Sequence, residues 1–306
     1  MKHAFYNMEY LGVNWGLPPL PISYPFVMTL FTVPTVTLAL ALGGIYLFAA
    51  PHFRRLRGEI PPPMGAHIAF DDPFRFPAKR TWLRPGRGLN PKAGRLLLIC
   101  TLLPMLVIAL PWTPIFGGTK HWMPAYPFMA LLAGVALSRL FATIRGSLSQ
   151  GGMVAVALAV AVAVPGALNT YFTHPYGLSQ YNALAGGPAG GADLGLNRQF
   201  WGYPVRNIMP WINHTFDDNA SVYFHDMNWD SYAAYRREGE LRADINYAGM
   251  ERPAINASGY SMVFHELHFN KYDYWIWDAY GTGSPTKVLH LDGVPLLSVY
   301  ERPKHR

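Results

Sequence analysis

The stretch GGMVAVALAVAVAVPGALNTYF, residues 151–172, contains no charged residue and is long enough to cross a bilayer as one helix. A membrane-spanning helix needs roughly 20 consecutive residues that are mostly apolar. The residues that follow, THPYGLSQYNALAGGPAGG at 173–191, are too polar and too rich in glycine to continue inside a membrane. Together the two stretches predict the point at which the chain leaves a membrane and enters a domain outside it.

The scarcity of charge along the chain extends this prediction. Charged residues make up 14% of the sequence, against roughly 25% in an average soluble domain. Four long runs contain no Lys, Arg, Asp or Glu, and they are 10–53, 96–119, 121–138 and 146–192. The predicted fold class is an α-helical multi-pass membrane bundle of about four spans, followed by a small external α/β domain. The predicted spans are 26–50, 96–116, 123–143 and 152–172.

The loop 51–95 predicts the orientation of these spans. It holds ten Lys and Arg residues against three acidic ones, a net charge of +7 that equals the net charge of the whole chain. Basic loops stay on the cytoplasmic side of a membrane. We therefore expect a cytoplasmic loop 51–95 inside a transmembrane region 25–172, an external or interfacial segment 1–24, and an external domain 173–306. Because the basic excess is confined to this loop, no nucleic-acid partner is predicted.

Strand and helix patterns alternate in the second half of the external domain. Helices are predicted in YPVRNIMPWINHTF (203–216) and NWDSYAAYRREGE (228–240), and strands in ASVYFH (220–225) and YSMVFHE (260–266). The segment HFNKYDYWIWDAYG (268–281) is an aromatic helix or loop. Asp292-Gly293 between two apolar runs is a strong hairpin signal. This alternation indicates a small α/β domain.

Two basic residues at the predicted outer mouth of the spans suit a phosphate. Lys120 and His121 lie in GGTKHWMPAYPF (117–128), next to Trp122 and Tyr126. A cation at the membrane surface can bind a phosphate group. An interfacial lysine within an aromatic belt explains the same residues.

The connector after the last predicted span carries several hydrogen-bonding side chains. His174, Tyr176, Tyr181 and Asn182 alternate with glycines whose backbone amides can face a ligand. Aromatic faces and amide donors suit a sugar or a lipid headgroup. Arg198 in NRQFWG is a further candidate for binding such a ligand. A tightly packed connector is the alternative.

A divalent metal ion is the one cofactor that the residues leave open. HELH (265–268) offers two imidazoles and one carboxylate, but its strand-to-loop setting lacks the helical spacing of known zinc motifs. Asp226 and Asp230 in HDMNWD can bind a divalent ion or cap the following helix. No nucleotide-binding loop, nucleophile elbow or cysteine pair is present, so no cofactor is identified.

Three motifs, in order, resemble a known family. They are YPFVMTLFTVP (24–34), GGTKHWMPAYPFMALLAGVAL (117–137) and HPYGLSQYNALAGGPAGGADLG followed by FWG (174–202). They are similar to the C-terminal half of polyprenyl-phosphate-dependent glycosyltransferases of the GT-C superfamily, in the family 39-like group related to protein mannosyltransferases. The resemblance implies transfer of a sugar from a polyprenyl-phosphate donor at the outer face of the bacterial inner membrane. It implies that Lys120 and His121 lie near the carrier phosphate, and that 174–191 closes over the outer mouth.

The sequence departs from the family pattern in its first segment. The catalytic carboxylate of the family lies in the first external loop, often within an acidic pair, whereas the first segment here offers only Glu9. The catalytic residue is therefore left unassigned. The expectation is a C-terminal portion of the enzyme, with a partner chain supplying the N-terminal spans. A non-catalytic, membrane-anchored module that binds glycans or lipid headgroups stays open. A transporter is disfavoured, because no charged residue lies at mid-depth in a predicted span.

Overall fold

The computed structural model describes residues 5–56, 91–115, 117–147 and 151–304. The chain divides into two compact units. The helical unit comprises residues 20–113 and 119–172. The α/β unit comprises residues 1–19, 114–118 and 173–306. Most of the basic loop 51–95 falls at 57–90, outside the described residues.

The helical unit consists of apolar helices. Its elements are α1 (Tyr24–Thr32), α2 (Thr35–Leu56), α3 (Pro91–Ile108), a 3₁₀ helix (Thr119–Ala125), α4 (Tyr126–Ser147) and α5 (Gly151–Thr173). α2 and α4 approach closely at Gly44, where a Cβ atom would lie 2.1 Å from the Leu132 carbonyl oxygen. Small residues allow such backbone contact between apolar helices. Leu38 and Ala41 of α2 pack beside Met129 and Ala133 of α4.

The predicted four-span bundle is wrong. Within the described residues, two helices are long and apolar enough to cross a membrane, Thr119–Ile144 and Gly152–Thr173. The described fold as a whole is mixed, with ten α-helices and two sheets. By length and composition alone, the two helices are a weak indication of membrane association.

Prolines explain why the other two predicted spans are interrupted. The prediction at 26–50 is broken between α1 and α2, where Val33 is extended (ψ 135°) directly before Pro34. A residue before proline avoids the helical conformation. The apolar part of α2, Thr35–Ala50, is too short to count as a membrane-spanning helix. The prediction at 96–116 ends early, because α3 stops at Ile108 and the chain turns before Pro111 and Pro114.

The α/β unit contains the strands. In chain order it holds β1 (Met8–Tyr10), β2 (Val13–Trp15), α6 (Gly187–Asp193), α7 (Val205–Thr215), β3 (Ser221–Phe224), α8 (Trp229–Arg237), β4 (Asn246–Gly249), α9 (Arg252–Ala257), β5 (Tyr260–Phe264), α10 (Asn270–Tyr280), β6 (Lys287–Leu291) and β7 (Val294–Glu301). β1 and β2 form a separate antiparallel hairpin. The other described strands form a mixed sheet in the order β4-β3-β5-β7-β6, with β3 parallel to β4 and β5. The predicted strands and helices of this domain are confirmed, and the aromatic segment 268–281 is largely helical.

Helices cover both faces of the mixed sheet. Successive side chains of a strand point to opposite faces, so Val222 and Phe224 of β3 join one buried cluster with α7 and α8. Tyr223, between them, joins a second cluster with Ile255 of α9 and Ile276 of α10. The result is a three-layer unit whose strand ends and connecting turns are available to build a site.

Candidate functional site

The N-terminal hairpin β1–β2 lies against the segment 195–199 of the α/β unit. The Glu9 amide donates to Asn197 Oδ1 at 3.0 Å, and the Gly12 amide donates to the Gly195 carbonyl at 2.9 Å. Gly195 has a φ of +68°, and a Cβ atom there would lie 2.1 Å from the Gly12 nitrogen. Only glycine allows this approach, which places the Glu9 side chain against the turn after β5.

Two buried carboxylates meet at this turn. Glu9 is 3% exposed, and its Oε1 accepts a hydrogen bond from the Leu267 amide. The Glu266 side chain is 9% exposed, and its Oε1 accepts from Gln199 Nε2. Gln199 is itself fixed, because its Oε1 accepts from the Gly202 amide at 2.9 Å. One oxygen of each carboxylate is therefore held in place by the protein.

An imidazole completes the cluster. His268 Nδ1 lies 3.5 Å from Glu266 Oε2. This nitrogen is buried and makes no hydrogen bond with the described residues. One ligand atom from each of Glu9, Glu266 and His268 lies within 4.8 Å of the others. These three residues form a group that could hold a metal ion, which we call the Glu9–Glu266–His268 cluster.

Burial disfavours the charged form of each side chain in the cluster. Burial raises the pKa of Glu266 to about 9, and the negative charge of Glu9 adds to this effect. Burial raises the pKa of Glu9 to about 7, although the Arg198 guanidinium acts in the opposite direction. Burial lowers the pKa of His268 to about 4. Removal from water and like charge at short range both disfavour two ionised carboxylates, so a proton or a cation would stabilise the pair.

Only part of the HELH motif contributes to the cluster. His265 Nε2 lies 2.8 Å from Ser298 Oγ of β7, where its ring has a structural partner. The helix cap predicted for Asp226 or Asp230 is instead made by Asn228, whose side-chain oxygen accepts from the Ser231 amide at 2.8 Å.

Two predicted ligand-binding residues of the connector are buried and bonded internally. Tyr181 is 2% exposed, and its hydroxyl donates to the Asn197 carbonyl at 2.8 Å. Asn182 is 5% exposed, and its Oδ1 accepts from the amides of Leu184 and Ala185 at 2.9 and 3.3 Å. These contacts are those of a packed connector, and through Asn197 they link it to the strand that carries Glu9.

The other predicted site residues have different surroundings. His174 is exposed, and Tyr176 is half-buried beside the apolar cluster of Leu291, Val294 and Leu296. Arg198 is half-buried and favours the ionised form of Glu9. 

Lys120 and His121 belong to the helical unit rather than to the α/β unit. On the 3₁₀ helix Thr119–Ala125, Lys120 is exposed and His121 is half-buried. The next residue, Trp122, anchors this helix, because its Nε1 donates to Thr29 Oγ1 at 2.8 Å. Their grouping with the connector residues stays a prediction.

The helical unit contains an apolar cavity of about 320 Å³ between α1, α2, α3 and α4. Its lining is Phe26, Val27, Thr29, Leu30, Leu38, Ala41, Leu42, Ile45, Thr101, Leu102, Met105 and Met129. The two threonine hydroxyls donate to the carbonyl oxygens of Pro25 and Leu97 of their own helices. The described lining therefore offers hydrocarbon and carries no charge.

No family model, curated protein or solved structure matches this chain.

The pairing of Glu9 with Glu266 was missed from the sequence. Leu267, which donates to Glu9, is 258 residues from it along the chain. The HELH motif contains Glu266 and His268, but its strand-to-loop setting argued against a metal site, and no local signal connects these residues to the N-terminal segment.

Proposed function

We propose that this chain is the C-terminal portion of an integral-membrane glycosyltransferase that takes its sugar from a lipid-phosphate carrier. The apolar cavity of the helical unit carries the proposal. A polyprenyl chain is long, flexible hydrocarbon, and sites for such ligands are concave and mostly apolar. The uncharged lining between α1 and α4 matches that chemistry.

Two apolar helices support a location in a membrane, which we propose to be the bacterial inner membrane. None of the residues in the most apolar window of Gly152–Thr173 is buried within the described structure. A helix that is apolar on all sides and unpacked in water would expose a large hydrophobic surface, whereas lipid would cover it. We propose that the basic loop 51–95 is cytoplasmic, because of its charge, and that 173–306 lies outside.

The proposal includes a divalent cation as a cofactor. The Glu9–Glu266–His268 cluster supplies two carboxylates and an imidazole, which are common metal ligands. Elemental analysis of the purified full chain should give about one divalent ion per chain.

The catalytic carboxylate is left unassigned in this proposal. Glu9 and the Glu266 side chain are buried and accept hydrogen bonds from Leu267 and Gln199, so neither is offered as a base for an incoming acceptor. We propose that a partner chain supplies further membrane spans and the catalytic residue.

Photo-crosslinking of a benzophenone-labelled polyprenyl phosphate to the purified full chain tests the lipid site. Leu102 lines the cavity, whereas its neighbour Leu103, which is 55% exposed, does not. Leu102→Trp should reduce crosslinking several-fold, and Leu103→Trp should leave it unchanged. Equal crosslinking in both variants would argue against lipid binding in this cavity.

A non-catalytic membrane module that binds a glycan or lipid headgroup is the second candidate. The burial of the Glu9–Glu266 pair favours it, because Glu9 is 3% exposed and the Glu266 side chain is 9% exposed, which leaves little surface for an acceptor. Sugar transfer by the chain together with its partner would exclude this candidate. Lipid-phosphate binding without turnover in their joint presence would support it.

A further inference from the structure

The Glu9–Glu266–His268 cluster joins segments that lie far apart along the chain. Glu9 comes from β1 of the N-terminal hairpin, whereas Glu266 and His268 come from the turn between β5 and α10. We infer that the cluster selects a zinc-class transition-metal dication and that the bound ion fastens the hairpin β1–β2 to the rest of the α/β unit. The inference rests on the cation cofactor of the proposed function, and it adds the class of metal and the role of the ion.

The size of the cluster fits one ion. Zinc binds imidazole nitrogen and carboxylate oxygen at about 2.0–2.2 Å, and in its tetrahedral arrangement the ligand atoms lie roughly 3.4 Å apart. The three ligand atoms here lie within 4.8 Å of one another. Side-chain rotations that move the ligand atoms by about an ångström would therefore bring them onto a common ion.

The donor set favours zinc over calcium or magnesium. Calcium takes six to eight oxygen ligands, and magnesium requires near-octahedral oxygen coordination. Imidazole suits zinc and its neighbours in the transition series, and His268 Nδ1 is a buried nitrogen that makes no hydrogen bond with the described residues. Three protein ligands with a water molecule in the fourth position is a common arrangement for zinc.

The surroundings of the cluster hold its ligands in position. Gln199 Nε2 donates to Glu266 Oε1, and the Leu267 amide donates to Glu9 Oε1. Such outer partners orient metal-binding side chains and strengthen binding. Glu266 Oε2 faces His268 Nδ1 at 3.5 Å. The side chains are therefore arranged before an ion arrives.

The hairpin is the element that gains most from the ion. A two-stranded hairpin is marginally stable by itself, and β1–β2 forms a sheet separate from the mixed sheet. Its Met8 and Tyr10 are buried, and the Glu9 carboxyl group between them is buried as well. A dication would displace protons from Glu9 and Glu266 and bind both carboxylates, so it would tighten the contact of β1 with the turn 265–268.

The experiment compares metals on the purified full chain after treatment with a chelator. Zn²⁺, Mn²⁺, Ca²⁺ and Mg²⁺ are added separately, and both affinity and hydrogen–deuterium exchange of residues 8–15 are measured. Glu266→Gln and His268→Asn are the ligand variants. Glu238→Gln, whose side chain is 58% exposed, and His290→Asn, an exposed residue of β6, are the matched controls. Circular dichroism of the metal-free variants verifies that each is folded.

The expected result is one Zn²⁺ per chain, bound at least tenfold more tightly than Ca²⁺ or Mg²⁺, with exchange at 8–15 slowed at least tenfold. Each ligand variant should weaken Zn²⁺ binding at least tenfold, and neither control should do so. Tight Zn²⁺ binding that leaves exchange at 8–15 unchanged would overturn the fastening role but retain the cofactor. Failure of the chain to bind any of the metals, or Zn²⁺ binding by the ligand variants as tight as by wild type, would overturn both the fastening role and the metal cofactor. Neither outcome bears on lipid binding in the helical unit.

Discussion

The Tyr181 hydroxyl donates a hydrogen bond to the Asn197 carbonyl at 2.8 Å inside the α/β unit. Asn197 in turn accepts the Glu9 amide through its side chain. The connector that follows α5 is thereby bonded to the segment that holds the N-terminal hairpin. This relationship makes the connector a structural support of the candidate metal site.

Replacing Tyr181 by Phe should destabilise the α/β unit. The substitution leaves the buried Asn197 carbonyl without this donor, which costs about 1–3 kcal/mol. Thermal or denaturant unfolding of the full chain, followed by near-ultraviolet circular dichroism, measures the loss. Tyr274→Phe is the control, because Tyr274 is 64% exposed and surface changes usually stay within about 0.5 kcal/mol. Equal stability of the two variants would show that the Tyr181 hydrogen bond contributes little.

Replacing Gly195 by Ala should displace the N-terminal hairpin. The added Cβ would lie 2.1 Å from the Gly12 nitrogen, so the backbones must separate. We expect faster hydrogen exchange in residues 8–15 and weaker Zn²⁺ binding. Gly239→Ala is a close control, because Gly239 has a similar φ of +74° but no atom within 4 Å of the added carbon. Gly239→Ala should show only backbone strain of about 1–2 kcal/mol. Equal hydrogen exchange of residues 8–15 in the two variants would contradict the argument from the close approach of Gly12 and Gly195.

Asp244 should make the α/β unit sensitive to acid. Hydrogen bonds from the Arg242 guanidinium lower the pKa of Asp244 from 3.8 to about 2, and the Asn219 amide contributes. A pKa below its unfolded value stabilises the fold above about pH 4, and this contribution is lost as the pH falls towards 2. The difference in melting temperature between wild type and Asp244→Asn should narrow over that range. Asp218→Asn, at a side chain 95% exposed, should differ less from wild type in melting temperature. A melting-temperature difference between wild type and Asp244→Asn that stays constant from about pH 4 to about pH 2 would contradict the prediction.

The elements of the α/β unit could be predicted because their signals are local. The apolar face of α7 and the Asp292-Gly293 turn each lie within a few residues. The strand β4 was missed, since Asn246–Gly249 is short and ends in glycine. The hairpin β1–β2 was missed as well, because its strands have three residues each and lie in a segment whose proline and aromatic content is typical of a loop.

The membrane region and the candidate site depended on longer-range effects. Charge-free runs measure composition, but Pro34 and Pro111 decide where a helix ends, so two predicted spans were interrupted. The Glu9–Glu266 contact is fixed by tertiary packing of Gly12 on Gly195. No periodicity in the sequence encodes such a contact.

The proposed orientation can be tested with an impermeant thiol reagent on intact cells. Cys100 is a free cysteine, so Cys100→Ala provides the background. Ser284→Cys should react from outside, because Ser284 is exposed in the α/β unit. Ser149→Cys, between the two apolar helices and outside the described residues, should react only after the cells are permeabilised. Reaction at Ser149→Cys but not at Ser284→Cys in intact cells would reverse the proposed topology.

Lys120 should contribute to binding of the lipid phosphate. It is exposed on the 3₁₀ helix Thr119–Ala125, which Trp122 anchors by its hydrogen bond to Thr29. A charge-assisted hydrogen bond contributes about 1.5–3 kcal/mol, which corresponds to roughly a tenfold to hundredfold change in affinity. Lys120→Ala should therefore weaken binding of a polyprenyl phosphate by that factor, and His121→Ala should have a smaller effect.

If Lys120 binds the phosphate, its replacement should weaken binding of polyprenyl phosphate but not of polyprenol. Polyprenol, which lacks the phosphate, should bind wild type and Lys120→Ala alike, because the cavity of the helical unit contacts only hydrocarbon. Lys287→Ala, at an exposed lysine of β6, controls for the general loss of positive charge. Binding is measured by photo-crosslinking in nanodiscs at constant salt, since surface charges are screened by ions. Unchanged phosphate-lipid binding in the Lys120→Ala, His121→Ala double variant would leave these residues with an interfacial anchoring role.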